Sequence, residues 1–454
     1  MSIQSINPAT GEVLETFEET KASEIDRILE AADRIFRDWR ARSFAQRAEK
    51  MRQAARILRS GKEKHARTMA LEMGKPIAQG EAEAEKCAWG CDYYAEHAER
   101  FLAEQPRATD ARRSTVRFDP IGPVLAIMPW NFPFWQVFRF AAPALMAGNA
   151  GILKHASNVP RCALEIETVF REAGFPEGLF RAVLVGNDKV AAIIADRRIR
   201  AVTLTGSDSA GSKVGGQAGH EIKKTVLELG GSDPFIVLED ADVKKAARTA
   251  ADARLVNSGQ SCIAAKRFIV VEKIANDFLE RFVAEMQSRK MGDPLERNTQ
   301  VGPLARHDLR ESLHRQVEES VKRGAKLLLG GRIPEGPGAF YPPTVLAAVN
   351  KGMPAFDEET FGPVAAVIRA RDEGDAIRLA NDSPFGLGAS LWTGDYARAE
   401  RIVPDIEAGC VFVNELVKSD PRLPFGGVKR SGYGRELSEY GIQEFTNIKS
   451  VWMA

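Results

Sequence analysis

Residues 151–185 read GILKHASNVPRCALEIETVFREAGFPEGLFRAVLV. The stretch opens on a short apolar run, Gly151–Lys154, and closes on another, Val183–Val185. Between them Asn158 is placed to cap a helix and Pro160 suits its first turn. Ile166, Val169 and Phe170 recur at helical spacing, and Gly174 stops the run. Strand, helix, strand over this length predicts parallel strands joined by a crossover helix. Two more apolar runs extend the pattern, Val124–Met128 upstream and Ala201–Thr205 downstream. Together they predict a doubly wound α/β domain of the dinucleotide-binding type.

Working outward, the first hundred residues read as helices, and the pattern changes from about residue 118. Ile25, Ile28, Leu29, Ala32, Ile35 and Phe36 keep a helical period after a candidate cap at Ser23, and Met51, Ala55 and Leu58 begin a second helix. Cys87 and Cys91 fall four apart on a helix, where two small core residues on one face is the favoured reading over a reactive pair. A second alternation starts near Pro234 with Phe235–Leu238, a helix from Val243 to Leu255 and the strand Phe268–Val271, and continues to about residue 420. It predicts a second α/β domain joined near Gly230–Gly231. The last stretch, Ile448–Met453, is apolar and extended, with no evident partner in its own domain; such strands often pair with another subunit.

Composition narrows the function. The chain has 454 residues, 44% hydrophobic and 28% charged, and its 63 basic and 62 acidic residues leave a formal charge of +1. It needs no disulfide or metal staple to fold, and the charge balance argues against nucleic-acid or membrane-surface binding. No run of about 18 apolar residues suggests a membrane span, and the opening MSIQSINPATGEVLE does not read as a secretory signal. Five scattered cysteines make no disulfide framework, so a reducing, cytoplasmic setting is expected. The six histidines form no metal-ligand pattern, and no metal is expected.

Four sites carry residues suited to chemistry. Cys262 follows the small, polar Asn257-Ser-Gly-Gln-Ser, a loop that admits close approach; it is either a nucleophile or a buried small residue. Glu228, in Val226-Leu-Glu-Leu-Gly, is a carboxylate among apolar neighbours, either a base with a raised pKa or one half of a boundary salt bridge. Asn131 follows a strand in Met128-Pro-Trp-Asn-Phe-Pro, either an oxyanion donor or a turn residue. Thr205-Gly-Ser-Asp-Ser-Ala-Gly211 joins a strand to a helix where a pyrophosphate would be favoured, although the spacing is not GxGxxG.

Taken together, PWNFP (129–133), Lys154 with its +3 neighbour, TGS (205–207), LELGG (227–231), GQSC (259–262), EETFGP (358–363) and PFGGVKRSG (424–432) resemble the aldehyde dehydrogenase superfamily in order and spacing, over essentially the whole chain. The resemblance is strongest to a short, bacterial-type succinate-semialdehyde dehydrogenase. It implies two doubly wound domains and a small β arm. Residues 1–102 and 119–229 would bind the dinucleotide, 230–423 would form the catalytic domain, and 103–118 with 433–454 would form the oligomerisation arm and tail. It also implies roles. Cys262 attacks the aldehyde, Asn131 and the Cys262 amide hold the oxyanion, and Glu228 activates water on the thioester. Trp130, Lys154, Ser157, Gly206, Ser207, Leu229, Glu359 and Phe361 would contact the cofactor.

Family members that prefer NAD typically carry Glu three residues after the lysine; here Ser157 stands there. The absence of that carboxylate, beside Lys154, predicts that NADP is accepted, with NAD left open. Arg139 and Ser419 fall where succinate-semialdehyde dehydrogenases bind the substrate carboxylate, an arginine fork being suited to it; an interdomain salt bridge is the alternative for Arg139. A second arginine that some relatives place six residues before the cysteine is Val256 here. The expected substrate is a small aldehyde with a terminal carboxylate, succinate semialdehyde first, glutarate semialdehyde or an aliphatic aldehyde as alternatives. A CoA-acylating enzyme is disfavoured by Glu228, a non-catalytic relative by the presence of Cys262, Glu228 and Asn131, and a thiol hydrolase by the lack of a histidine in these motifs. A homodimer or homotetramer is expected.

Overall fold

The computed structural model of the protein describes residues 2–454. Two parallel-stranded sheets organise it. The first runs through β1 (Pro123–Met128), β2 (Ala150–His155), β3 (Phe180–Ala182), β4 (Ala201–Thr205) and β5 (Lys224–Glu228). Its order is β5-β4-β1-β2-β3, with the two-residue strand Gly432–Tyr433 antiparallel outside β5. The chain therefore reverses direction of travel between β1 and β4, the switch point where α/β sheets open a crevice at their carboxyl ends.

The second sheet contains β6 (Pro234–Val237), β7 (Arg267–Val271), β8 (Thr344–Ala347), β9 (Val364–Ala370), β10 (Gly388–Trp392) and β11 (Cys410–Val413), in the order β8-β9-β7-β6-β10-β11. Strand Lys326–Leu329 adds antiparallel to β8. Both faces of this sheet are covered, so its strands are largely apolar. Phe235, Val237, Phe268 and Val270 pack beneath helices Val243–Leu255 and Ala275–Gln287, while Ile236, Ile269 and Val271 face the opposite core with Leu313 and Val317 of helix His307–Lys322.

Several expectations shift. A hairpin, Ser2–Ile6 with Val13–Glu18, precedes the N-terminal helices. The first helix is Ala22–Arg40 and its N-cap is Lys21, not Ser23. The second, Phe44–Ser60, has a full capping box between Ser43 and Gln46. The third crossing strand is Phe180–Ala182, immediately before the Val183–Val185 run, of which Val183 and Val185 are core. The crossover helix is Pro160–Glu172 with N-cap Val159, not Asn158. Its first amides are instead bound by the carboxylate of Glu72, which accepts from the backbone N–H of Arg161 at 3.0 Å and of Cys162 at 2.9 Å. A buried acid from another helix thus does the work of a local cap. Cys87 and Cys91 are fully buried.

The terminal strand Thr446–Met453 finds its partner inside the chain. It pairs antiparallel with Arg113–Pro120, and Gln105–Pro106 completes a three-stranded sheet. Its outer edge remains unpaired. Among the described residues no helix is long and apolar enough to cross a membrane.

Candidate active site

The carboxyl ends of the first sheet meet the loops that lead into the strands of the second. From the first sheet come Pro129–Asn131 after β1, Gly206–Ser207 after β4 and Leu229–Gly230 after β5. From the second come Cys262 before β7, and Glu359 and Phe361 before β9. These residues line one cleft of about 380 Å³. Trp130 and Phe361 meet edge to face across it, ring centroids 5.7 Å apart. Of the expected cofactor residues, Lys154 and Ser157 lie outside this lining, at the carboxyl end of β2 and in the turn beyond it.

Cys262 sits on an unusual backbone. Asn257, Ser258 and Gly259 have φ of 51°, 56° and 76°, three consecutive left-handed residues, two of them not glycine. Such a run costs of order 1–3 kcal/mol per non-glycine residue and persists only where its surroundings enforce it. Here they do. The Asn257 side chain donates to the carbonyls of Asn131, at 2.6 Å, and Gln260. Ser258 Oγ accepts from Gly302 N–H, Gln260 Oε1 from Ala305 N–H, and the Gly259 carbonyl from Arg254. The buried Lys266 ammonium donates to the carbonyls of Ser261, Cys262 and Ala264 at 2.8–3.1 Å. At Gly259 a Cβ would lie 2.3 Å from the Gly362 carbonyl group, so only glycine fits.

Asn131 and Cys262 are tied together by this network. Asn131 Nδ2 donates to the Gln260 carbonyl at 3.1 Å, and Cys262 N–H has no protein acceptor among the described residues. An amide side chain and a free backbone N–H therefore stand on the same wall as the thiol. Burial pushes the Cys262 thiol up to about 12, opposed by the positive charges of Arg139 and Lys266.

Glu228 ends β5 and is buried, lining neither the cleft nor solvent. Both carboxylate oxygens lack a hydrogen-bond partner. Burial raises its pKa well above the usual carboxylate range; Arg139 lowers it and Glu436 raises it further. Glu359 Oε1 accepts from Gly231 N–H at 3.0 Å and lies 3.5 Å from Lys266 Nζ. A Cβ at Gly230 would meet Glu359 Oε2 at 2.5 Å, so glycine is needed for that approach. Ser207 is the N-cap of helix Asp208–His220, its Oγ accepting from Ala210 N–H. The Lys154 ammonium donates to the neutral amide of Asn187 at 2.8 Å and has no carboxylate within 4.0 Å among the described residues.

Arg139 differs from the expectation of an open fork. It lies in helix Trp135–Ala147, whose residues are all buried, where a charge requires a partner. Its Nε pairs with Glu436, its Nη2 donates to Thr205 Oγ1 at 3.3 Å, and Phe425 packs 4.6 Å from its guanidinium carbon. The Nε–Nη2 edge is thus occupied by protein, leaving Nη1. Ser419 is buried behind a second cleft, whose lining includes Lys86 and, from the segment after Asn131, Phe132 and Trp135. Its Oγ accepts from Lys86 Nζ at 2.8 Å and from Trp135 Nε1 at 3.0 Å. Lys86, Lys266, Arg254 and Glu436 were not singled out in the sequence. They are ordinary charged residues there, and only their distant partners distinguish them.

The aldehyde dehydrogenase family model matches residues 1–451, and the chain belongs to that family. It is 51% identical over the full length of both chains to a probable succinate-semialdehyde dehydrogenase [NADP(+)] of Synechocystis sp., and 52% identical, again over both full lengths, to succinate-semialdehyde dehydrogenase [NADP(+)] 1 of Mycobacterium tuberculosis. Among solved structures it resembles succinic semialdehyde dehydrogenase from Streptococcus pyogenes in complex with NADP+, with TM-score 0.97, 38% identity and 99% of each chain covered.

Proposed function

We propose that the protein oxidises succinate semialdehyde to succinate with NADP as the hydride acceptor. Membership of the family, the names of its relatives and the geometry around Cys262 support this reading. The observation that carries it is the enforced left-handed turn that fixes Cys262 beside Asn131 on the wall of a cleft suited to a dinucleotide.

In this reading the Cys262 thiol gives its proton to solvent, and the thiolate sulfur bonds to the aldehyde carbon as the carbonyl π pair moves onto oxygen. The oxygen, now negative, accepts hydrogen bonds from Asn131 Nδ2 and Cys262 N–H. NADP, when bound, would supply the electron-poor ring that accepts the hydride. The carbon remains as a thioester on Cys262. Glu228, once deprotonated, removes a proton from water as its oxygen attacks the thioester carbon; the C–S bond breaks and the acid leaves. A buried carboxyl with a raised pKa suits this step, because a base titrating near the working pH takes protons effectively.

Trp130, Gly206, Ser207, Leu229, Glu359 and Phe361 would hold the nicotinamide half and the pyrophosphate. Lys154 and Ser157 would take the adenosine end. The Lys154 ammonium has spare N–H groups and only a neutral partner, a setting that fits a 2′-phosphate. Arg139 Nη1 and the Ser419 hydroxyl remain the proposed contacts to the substrate carboxylate. All five cysteines are free, which supports a cytoplasmic location. Ile448, Trp452 and Met453 are exposed on the terminal strand, whose outer edge is unpaired, which supports a homodimer or homotetramer.

A steady-state screen of succinate semialdehyde, glutarate semialdehyde and pentanal, each with NADP and NAD, tests the proposal. The expected result is the highest kcat/KM for succinate semialdehyde with NADP; a preference for pentanal overturns it.

A further inference from the structure

The second cleft is lined by Gln79, Lys86, Phe132, Trp135, Val256 and Leu416, among others, and carries five charged side chains. Four are neutralised within the protein. Glu83 pairs with Lys75 and accepts from the amides of Phe134 and Trp135. Asp252 pairs with Arg289, and Arg297 with Glu81. The fifth, Lys86, has no carboxylate within 4.0 Å among the described residues. Its half-buried ammonium lies 4.6 Å from the centroid of the Trp135 ring and donates to Ser419 Oγ.

The Ser419 hydroxyl already accepts two hydrogen bonds, from Lys86 and from the Trp135 indole, which fills its lone pairs and leaves its own proton to donate. Two donors therefore converge there, an ammonium with spare N–H groups and a hydroxyl proton; Arg139, one turn along the Trp135 helix, is outside the cleft's lining, and its charge acts on both Lys86 and the Cys262 thiol. Nearby acids are committed, Asp420 to Arg422 and Glu436 to Arg139. Converging donors with an unneutralised charge make a site for an anion.

We propose that Lys86, seated on Trp135 and bonded to Ser419, takes the far carboxylate of the substrate and sets the preference for a carboxylated over an uncharged aldehyde. This rests on the functional reading above and adds the residue that discriminates. The charge is titratable. Burial, then Arg139, lowers the Lys86 pKa to about 8, while Glu83, Cys87 and Asp420 oppose the shift. Lys86 is cationic below that value and loses its charge above it, so carboxylate binding weakens as the pH rises through 8.

The test compares succinate semialdehyde with pentanal, which presents a methyl end in place of the carboxylate. In Lys86→Met the ratio of kcat/KM for the semialdehyde over pentanal falls about tenfold or more, carried by KM, and Lys86→Arg restores most of it. In the unaltered enzyme the KM for the semialdehyde rises above pH 8 while that for pentanal does not follow, a readout that needs no variant. If Lys86→Met keeps the ratio, or if both KM values share one pH profile, the assignment is overturned and the functional reading stands. If the unaltered enzyme does not prefer the semialdehyde to pentanal, both fall.

Discussion

At Cys262 the thiol is ordinary and its backbone is not. Three left-handed residues precede it, held by Asn257, Ser258, Gln260, Arg254 and Lys266. Cys262→Ser leaves that frame intact but replaces a soft nucleophile with a weak one. Aldehyde oxidation is expected to fall by more than about 10³-fold, while quenching of tryptophan fluorescence still reports NADP binding. Glu228→Gln separates the two halves of the reaction: a rapid-mixing experiment should retain a burst of NADPH of about one per site, with steady-state turnover lowered about 10²–10⁴-fold. Because burial raises the Glu228 pKa and only the deprotonated form is a base, turnover in the unaltered enzyme rises with pH through a value above the usual carboxylate range. That ascending limb is absent from Glu228→Gln. At the adenosine end, Ser157→Glu places an anion near the proposed 2′-phosphate. The kcat/KM ratio of NADP over NAD should fall by at least about tenfold, and a ratio unmoved by the substitution refutes the role of this position.

Among the elements, the helix Trp135–Ala147 is the one on which both clefts depend. It is buried all round and begins without a side-chain cap of its own. Glu83, on helix Ile77–Phe101, supplies the missing acceptor to the amides of Phe134 and Trp135, both at 2.9 Å, while pairing with the fully buried Lys75. Lys75 also lies 3.7 Å from the centroid of the Phe132 ring. The ion pair thereby anchors the loop that carries Asn131. Glu83→Gln strands a buried ammonium, and chemical denaturation should report a loss of about 3–5 kcal/mol. Lys75→Met in the same chain should recover much of that loss, because the uncompensated charge is then gone; an equal loss in the double variant would refute the account.

Across the whole molecule, the site exists only because two sheets face each other with opposite ends. The first presents the carboxyl ends of its strands, and the second the loops entering its strands. The arm sheet is the other feature of this scale. Its terminal strand, Thr446–Met453, has one paired edge and one open edge bearing exposed Ile448, Trp452 and Met453. Trp452→Lys puts a charge on that edge and is expected to shift sedimentation toward the monomer. An unchanged sedimentation coefficient would remove this strand from the proposed interface.

Much of this was legible before folding. Residue identity and local period determined the alternation of strands and helices, as in Ala201–Thr205 and Val243–Leu255, where the bounds agree with the structure. They also singled out Cys262, Glu228 and Asn131, because reactive side chains among small or apolar neighbours stand out locally. Tertiary structure alone decided what depends on partners far apart in the chain. Glu72 rather than Asn158 caps the crossover helix. Glu436, nearly 300 residues away, occupies an edge of Arg139, and Lys86, set beside Ser419, has no carboxylate within 4.0 Å among the described residues. The physical reason is that a charge acquires its meaning from what lies within a few ångströms of it, and sequence order does not record that distance.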